Sequence, residues 1–246
     1  MGEAVWYTRH PLLKSLHRTQ KSFRRSTREL IEGWYYRRNL ARSLRVAKET
    51  LGNVDAAYDT YLHEQLEETL RKKRLKGEVH FDVIPLIDML ASKYDVAGKS
   101  VLCVGCRNTD EIRYFRKRGA AEVFGVDLYS DDPDIRIMDM HDLKFPDGSF
   151  DVVYSRHSFE HAYDKRKAGL EFVRVLRHLG VVVIEVPGKY KGGADYNRFD
   201  DLNDVLDAFE PHVNEFLWKE YSSKEENTDK MDIIRLMFRV NKTAPT

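Results

Sequence analysis

Ser100-Val-Leu-Cys-Val-Gly105 is a short apolar run ending in glycine. Thr109-Asp-Glu-Ile112 opens a helix that ends at Gly119, and a second run, Glu122-Val-Phe-Gly-Val-Asp127, ends in a carboxylate. Nearly continuous apolar strands alternating with helices belong to a parallel sheet covered on both faces. The texture continues outward. Ile135-Arg-Ile-Met138, Phe150-Asp-Val-Val-Tyr-Ser155 and Gly180-Val-Val-Val-Ile-Glu-Val186 read as the third to fifth strands, and a helix carrying Leu170, Phe172, Val173, Val175 and Leu176 precedes the fifth. Upstream, Phe81–Tyr94 has a helix pattern with Pro85 in or near its first turn. Downstream, a helix near Leu202–Phe209 leads to strands at Asn214–Tyr221 and Ile233–Val240, joined by the polar stretch Ser222–Lys230, which implies a terminal hairpin. The pattern predicts a doubly wound α/β domain over residues 77–246.

Residues 1–76 lack strand signals. From Pro11 to about Lys48 the apolar spacing suits short helices broken at Gly33 and Gly52. A longer helix, Asp55 to Lys76, puts Tyr58, Tyr61, Leu62, Leu66 and Leu70 on one stripe, with Arg71-Lys72-Lys73-Arg74 near its C-terminus, where cations suit the helix dipole. An apolar stripe needs a partner surface, so this helical extension is expected to cover the substrate side of the α/β domain.

The composition fits that division. Of 246 residues 42% are hydrophobic and 11% aromatic, enough for a sizeable core, while 33% charged residues and a mean hydropathy of -0.57 exclude an integral membrane protein. The net charge is +1, but residues 1–80 hold 17 Lys/Arg against 10 Asp/Glu and the rest holds 24 against 30. A basic N-terminal third is joined to an acidic remainder. Cys103 and Cys106 lie in a strand and its exit turn, a poor place for a stapling disulfide, and read as buried thiols in a reducing compartment. Arg9, His10, Lys14, Arg18 and Lys21 interrupt the first stretch, so no secretory signal is read and a cytoplasmic location is expected.

In open parallel sheets ligands bind beyond the carboxyl ends of the strands, where strand order reverses. Gly105 ends the first strand, where a missing Cβ lets backbone approach a ligand. Asp127 ends the second, at the spacing where a carboxylate accepts from both hydroxyls of a ribose. Either residue would serve any nucleoside cofactor, but no G-x-G-x-x-G opens the first helix, which counts against a dehydrogenase.

The stretch Met138-Asp-Met-His-Asp-Leu-Lys-Phe-Pro-Asp-Gly-Ser-Phe-Asp-Val-Val-Tyr-Ser155, followed by Ser158-Phe-Glu-His161, resembles the class I S-adenosylmethionine-dependent methyltransferases, in particular the broad group acting on small molecules. The likeness continues through Glu171-Phe-Val-Arg-Val-Leu-Arg177 and the fifth strand, and does not reach residues 1–76. It implies a Rossmann-like, mostly parallel seven-stranded sheet with a C-terminal antiparallel hairpin, and S-adenosylmethionine as cofactor. By the resemblance Asp127 holds the ribose, Asp139 accepts from the adenine amino group and Met140 offers its N–H to the ring. Leu128 and His141 join them, and Ser155 and Arg156 pass the methionine part. The first motif departs from the family's D-x-G-x-G-x-G: Cys103-Val-Gly-Cys-Arg-Asn-Thr109 keeps one glycine and has Arg107 at a glycine position. A side chain there should crowd the loop if φ is positive, so the loop is expected to differ locally, and either cofactor affinity falls or Arg107 or Asn108 makes a new contact, for example with the cofactor carboxylate. Asp110 and Glu111 read equally as capping residues or as ligands of the cofactor amino group.

Transfer to an oxygen needs a base. His157 and His161 lie just past the fourth strand, where an imidazole could reach a substrate hydroxyl; His161 could instead only fix its loop with Glu160. Metal-ligand spacing is not visible. Gly188, Gly192 and Gly193 make Pro187–Asp201 a candidate flap. The expected reaction is O-methylation of a small molecule or glycan. Two rivals stand beside it. In one the basic region, with Trp34-Tyr-Tyr-Arg-Arg38, serves a nucleic-acid methyltransferase, although an N-P-P-Y-like tetrad is missing at Ser155–Ser158. In the other a non-enzymatic protein of this fold docks its basic region on a partner or an anionic membrane surface.

Overall fold

In the computed structural model residues 33–34, 36–49, 55–76, 83–130, 132–226 and 231–243 are described. The expected short helices over residues 11–32, the break at Gly52 and the hairpin tip at 227–230 lie outside them. The chain forms two compact units, Met1–Arg42 and Ser43–Thr246. In the first, the Arg38 guanidinium lies 5.2 Å over the Trp34 ring. Gly33, expected as a helix break, is itself helical, at a cost of about 1 kcal/mol relative to alanine.

The second unit contains helix α1 (Ala56–Lys76) as well as the α/β domain. The expected apolar stripe of α1 is packed: Tyr61, Leu62 and Leu66 are fully buried. Around Tyr61, ring contacts to Tyr196 at 4.9 Å and Tyr163 at 5.4 Å join α1 to loops of the α/β domain, each such pair contributing about 0.5–1.5 kcal/mol. Gln65 Nε2 donates to Ala194 O (2.6 Å) and Tyr196 Oη to Glu64 (2.7 Å).

After α2 (Ile84–Lys93), which carries Pro85 in its first turn as expected, come β1 (Ser100–Val104), α3 (Asp110–Lys117), β2 (Glu122–Asp127), β3 (Ile135–Ile137), β4 (Phe150–Arg156), a 3-10 turn (Phe159–His161), α4 (Lys165–Val175), β5 (Leu176–Gly188), α5 (Leu202–Leu206), β6 (Val213–Ser222) and β7 (Asp232–Val240). The seven strands form one sheet in the order β3-β2-β1-β4-β5-β7-β6. β1 to β5 pair in parallel, and β7 runs antiparallel to both β5 and β6. This is the Rossmann-like sheet with its terminal hairpin. β1 shows why it is wound on both faces: Leu102 and Val104 enter one buried cluster with Phe159 and Phe172, while Val101 and Cys103 enter another with Ile112 and Phe115.

β5 begins at Leu176, earlier than the expected Gly180. Phe150 pairs with Leu176 and Val152 with Val181, so Arg177–Gly180 form an irregularity inside the strand instead of a separate turn. The reversal in strand order lies between β1 and β4, and the carboxyl ends of these two neighbours frame the site.

Candidate active site

Two cavities open at the ends of β1 and β4, and Gly105, Arg107, His157 and His161 line both. The larger, about 440 Å³, also has Asn108, Glu111, Arg156 and Glu160 in its wall. The smaller, about 60 Å³, has Asp127, Leu128, Asp139 and Met140 on the sheet side and Tyr61, Gln65 and Thr69 of α1 as its cover.

Gly105 (φ 73°) leaves β1 in a left-handed conformation and its N–H donates to Val126 O at 2.8 Å. A Cβ here would lie 2.2 Å from the Ser158 Cβ, so only glycine fits. Arg107 also has positive φ, 26°. The loop therefore keeps the turn that an arginine was expected to prevent. The left-handed residue costs about 1–2 kcal/mol, and the turn offsets this by aiming the Arg107 N–H at Asp127 Oδ2, 3.0 Å away. Asp127 Oδ1 accepts from Tyr129 N, also at 3.0 Å. Burial raises the Asp127 pKa, opposed by these two amides and the Arg107 charge. With one amide on each oxygen, the carboxylate keeps acceptor capacity toward the smaller cavity, which suits ribose hydroxyls.

Asn108 lies two residues before α3, its Oδ1 accepting from Asp110 N at 3.0 Å. Glu111 points into the larger cavity. Its Oε2 has no hydrogen-bond partner among the described residues, and burial pushes its pKa up to about 8. A buried acid of that kind favours a donor or a cation beside it.

Asp139 lines the smaller cavity, but protein donors already engage both its oxygens. The Tyr58 hydroxyl donates to Oδ2, and His141 brings its backbone N–H (2.9 Å) and Nδ1 (2.5 Å) to Oδ1. His141 itself lines neither cavity, contrary to its expected place at the cofactor. It is 2% exposed, its Nε2 accepts from Asp164 N at 3.1 Å, and its work is to tie Asp139 to the start of α4. Ser155 is likewise withdrawn. It lies fully buried within β4, where its hydroxyl meets Ser158 Oγ at 2.7 Å, and Ser158 Oγ in turn donates to Val104 O. One more residue of strand carries the chain out of the sheet, so Arg156 reaches the cavity and Ser155 does not.

His157 (φ 49°) faces both cavities, but its Nε2 lies 3.2 Å from Glu185 Oε1. Glu185 is 1% exposed and also accepts from Arg156 and Arg235, each at 2.6 Å. Burial opposes its charge, yet the His157 hydrogen bond and the Arg156 charge win and push its pKa down to about 2. His161 is held differently. Its Nδ1 lies 3.0 Å from Asp195 Oδ1 and 3.3 Å from Ala194 O, so the anchoring carboxylate is Asp195 and not Glu160. Its Nε2 makes no hydrogen bond among the described residues. Glu160 is buried, with Oε2 unpartnered among the described residues, and burial raises its pKa.

Sequence reasoning did not single out Tyr61, Gln65, Lys72 or Asp195 for the site. The glycines of Pro187–Asp201 flagged the segment that carries Asp195, but no spacing links Asp195 to His161, because the contact is made across the fold.

Residues 102–184 match the family described as a methyltransferase domain. Over 138 residues the chain is 30% identical to the 2-methyl-6-phytyl-1,4-hydroquinone methyltransferase of Synechocystis sp., a match that takes in 51% of this chain and 41% of that protein. The chain thus spans less than half the length of that curated relative. The 1,6-didemethyltoxoflavin-N1-methyltransferase of Burkholderia thailandensis, solved with 1,6-didemethyltoxoflavin and S-adenosylhomocysteine, shares the fold with a TM-score of 0.60 at 16% identity, over 78% of this chain and 93% of that one. The [4+2]-cyclase SpnF shares it too, with a TM-score of 0.52 at 17% identity over 63% of this chain and 80% of that one; the fold alone names no reaction. The match to the methyltransferase domain runs from β1 to β5, the strands whose ends build the cleft, and takes in 83 of the 246 residues.

Proposed function

We propose that the protein transfers the methyl group of S-adenosylmethionine to a hydroxyl of a small molecule or glycan, with His161 as the base. One observation carries the choice of an oxygen nucleophile: His161 lines both cavities beside Gly105, and among the described residues only its Nδ1 is engaged, by Asp195 and Ala194 O. Bound there, the cofactor supplies a methyl group already activated on a positive sulfur. What remains for the chain is to align the hydroxyl and to take its proton as the oxygen forms its new bond.

In this reading Asp127 holds the ribose, Leu128 and Met140 flank the adenine, and Arg107 and Asn108 face the cofactor carboxylate. The larger cavity falls in the size range of small-molecule pockets, about 300–1,000 Å³, while 60 Å³ is far too small for the adenosine end. α1 therefore shifts to admit it, and the adenine amino group competes with Tyr58 for Asp139. Polar groups in the larger wall, the cations Lys72 and Arg156 and the buried acid Glu111, support a polar substrate, and Tyr190 and Met231 supply apolar contact.

The test is transfer from methyl-labelled S-adenosylmethionine to a panel of hydroxyl-bearing small molecules and oligosaccharides, with RNA alongside. Label on a hydroxyl compound, reduced in Asp127→Ala, is the expected result. Cofactor binding with label only on RNA, or on none of the panel, contradicts the reading.

A further inference from the structure

Of the groups that face the cleft, Asp195 is the one whose partner sits in the proposed machinery while it does not reach the cofactor end itself. Its segment is fixed from several sides. Tyr196 N and Asn197 N donate to Glu160 O at 3.0 and 2.9 Å, Gln65 of α1 donates to Ala194 O, and Gly192 N donates to Asp195 Oδ2 at 3.0 Å. The remaining oxygen, Oδ1, is left to His161. His161 Nδ1 thus looks at two acceptors, a carboxylate oxygen and a backbone carbonyl, and only a ring with its hydrogen on Nδ1 satisfies them.

We propose that Asp195 is a positioning residue for His161: it fixes the imidazole with the hydrogen on Nδ1 and the acceptor nitrogen Nε2 presented to the cleft, and it makes that nitrogen more basic. The proposal rests on the reading of His161 as the base and extends it to a residue of another segment. In the step it serves, the substrate O–H bond breaks and its proton passes to Nε2. The oxygen bonds to the methyl carbon, and the methyl–sulfur bond breaks with its electron pair going to sulfur. The resulting imidazolium keeps its Nδ1–H on the Asp195 carboxylate and later returns the Nε2 proton to solvent. The carboxylate so placed stabilises the charged ring without taking its proton.

Every charged group around the ring enters its titration. Asp195 and Glu160 favour the protonated form, as does Asp127 across the cleft, while Lys72 of α1, on the same wall, disfavours it. Arg107 and His157 also line both cavities with it. Burial lowers the His161 pKa, but the Asp195 hydrogen bond and the Glu160 charge outweigh it and the net shift is upward.

The experiment is imidazole nitrogen NMR of the full-length protein across a pH series, with the His161 signals assigned by their loss in His161→Gln. The variants compared are Asp195→Asn, close to isosteric and still able to accept from Gly192 N, and Asp195→Glu, which restores the charge. In the wild type, neutral His161 should carry its hydrogen on Nδ1 and titrate above the usual histidine value. Asp195→Asn should lower that midpoint by about one pH unit or more, the scale for an opposite charge in contact, and Asp195→Glu should recover part of it. The acid limb of the methyl-transfer rate should move down by the same amount. A hydrogen on Nε2 in the wild type, or an unchanged midpoint in Asp195→Asn, overturns the proposal. A shifted midpoint with a pH–rate profile that ignores it upholds the pairing and overturns instead the assignment of His161 as the base.

Discussion

His141 and His161 are each paired through Nδ1 with an aspartate, and the two corners they occupy behave in opposite ways. At His141 the pair is closed: Nε2 accepts from Asp164 N, the Tyr58 hydroxyl takes the other Asp139 oxygen, and the ring is 2% exposed. At His161 the pair is open, with Nδ1 held by Asp195, no hydrogen bond to Nε2 among the described residues, and the ring in the wall of both cavities. A histidine with both nitrogens occupied is a strut; one with a single nitrogen held in a fixed direction can move a proton. His157 stands nearer the first kind, because Glu185 ties its Nε2 into a buried group with Arg156 and Arg235. The lesson is that an Asp–His contact does not mark a catalytic pair until the second ring nitrogen has been accounted for.

The comparison can be sharpened by removing one partner at a time. Glu185→Ala should be the most damaging change, costing about 3–5 kcal/mol of stability, because it leaves buried cations without their carboxylate; chemical denaturation measures it. The sign of its pH dependence follows from a carboxyl held at about 2 in the folded protein against a usual 4.5. The stabilisation is present above about pH 4.5 and is lost as pH falls toward 2, and Glu185→Gln should flatten that acid limb. His161→Ala should lower kcat about a hundredfold, equivalent to about 2.7 kcal/mol of barrier, while cofactor affinity stays near wild type. Equal loss of affinity and rate would make His161 another strut. For His141→Ala the pattern should invert: stability falls by about 2 kcal/mol as Asp139 and Asp164 N lose a buried partner, and kcat at saturating cofactor holds. Tyr58→Phe should be the mildest, about 1 kcal/mol of stability, with cofactor affinity equal to wild type or higher because Asp139 gains a free acceptor. Weaker cofactor binding in that variant would contradict the competition at Asp139.

Most of the fold was legible in the sequence because each strand carries its own signal. Val101, Leu102, Cys103 and Val104 are buried on both faces of β1, so the run is apolar throughout, and the strand ends at a glycine that no other residue can replace. The site was legible where backbone position alone decides it, at Gly105 and Asp127 and in the loop past β4. It was obscured where the outcome depends on the direction of a side chain. Ser155 and Arg156 are neighbours in the chain, yet one is enclosed and the other lines the cleft. Arg107 reads as an obstacle until its amide is seen to bind Asp127. Tyr58 and Asp139, eighty-one residues apart, and His161 and Asp195 meet only through the packing of α1 and the segment after β5, and no local pattern encodes such meetings.

In the proposed reading S-adenosylmethionine binds at the β1–β4 switch point with its ribose on Asp127. Titration calorimetry of the full-length protein with S-adenosylmethionine and with S-adenosylhomocysteine tests it directly, in the wild type and in Asp127→Ala. The account predicts saturable binding at one site and a loss of about 1–3 kcal/mol in the variant, the range for removing hydrogen bonds to a charged group. No binding in the wild type, or the same affinity in both proteins, would contradict it.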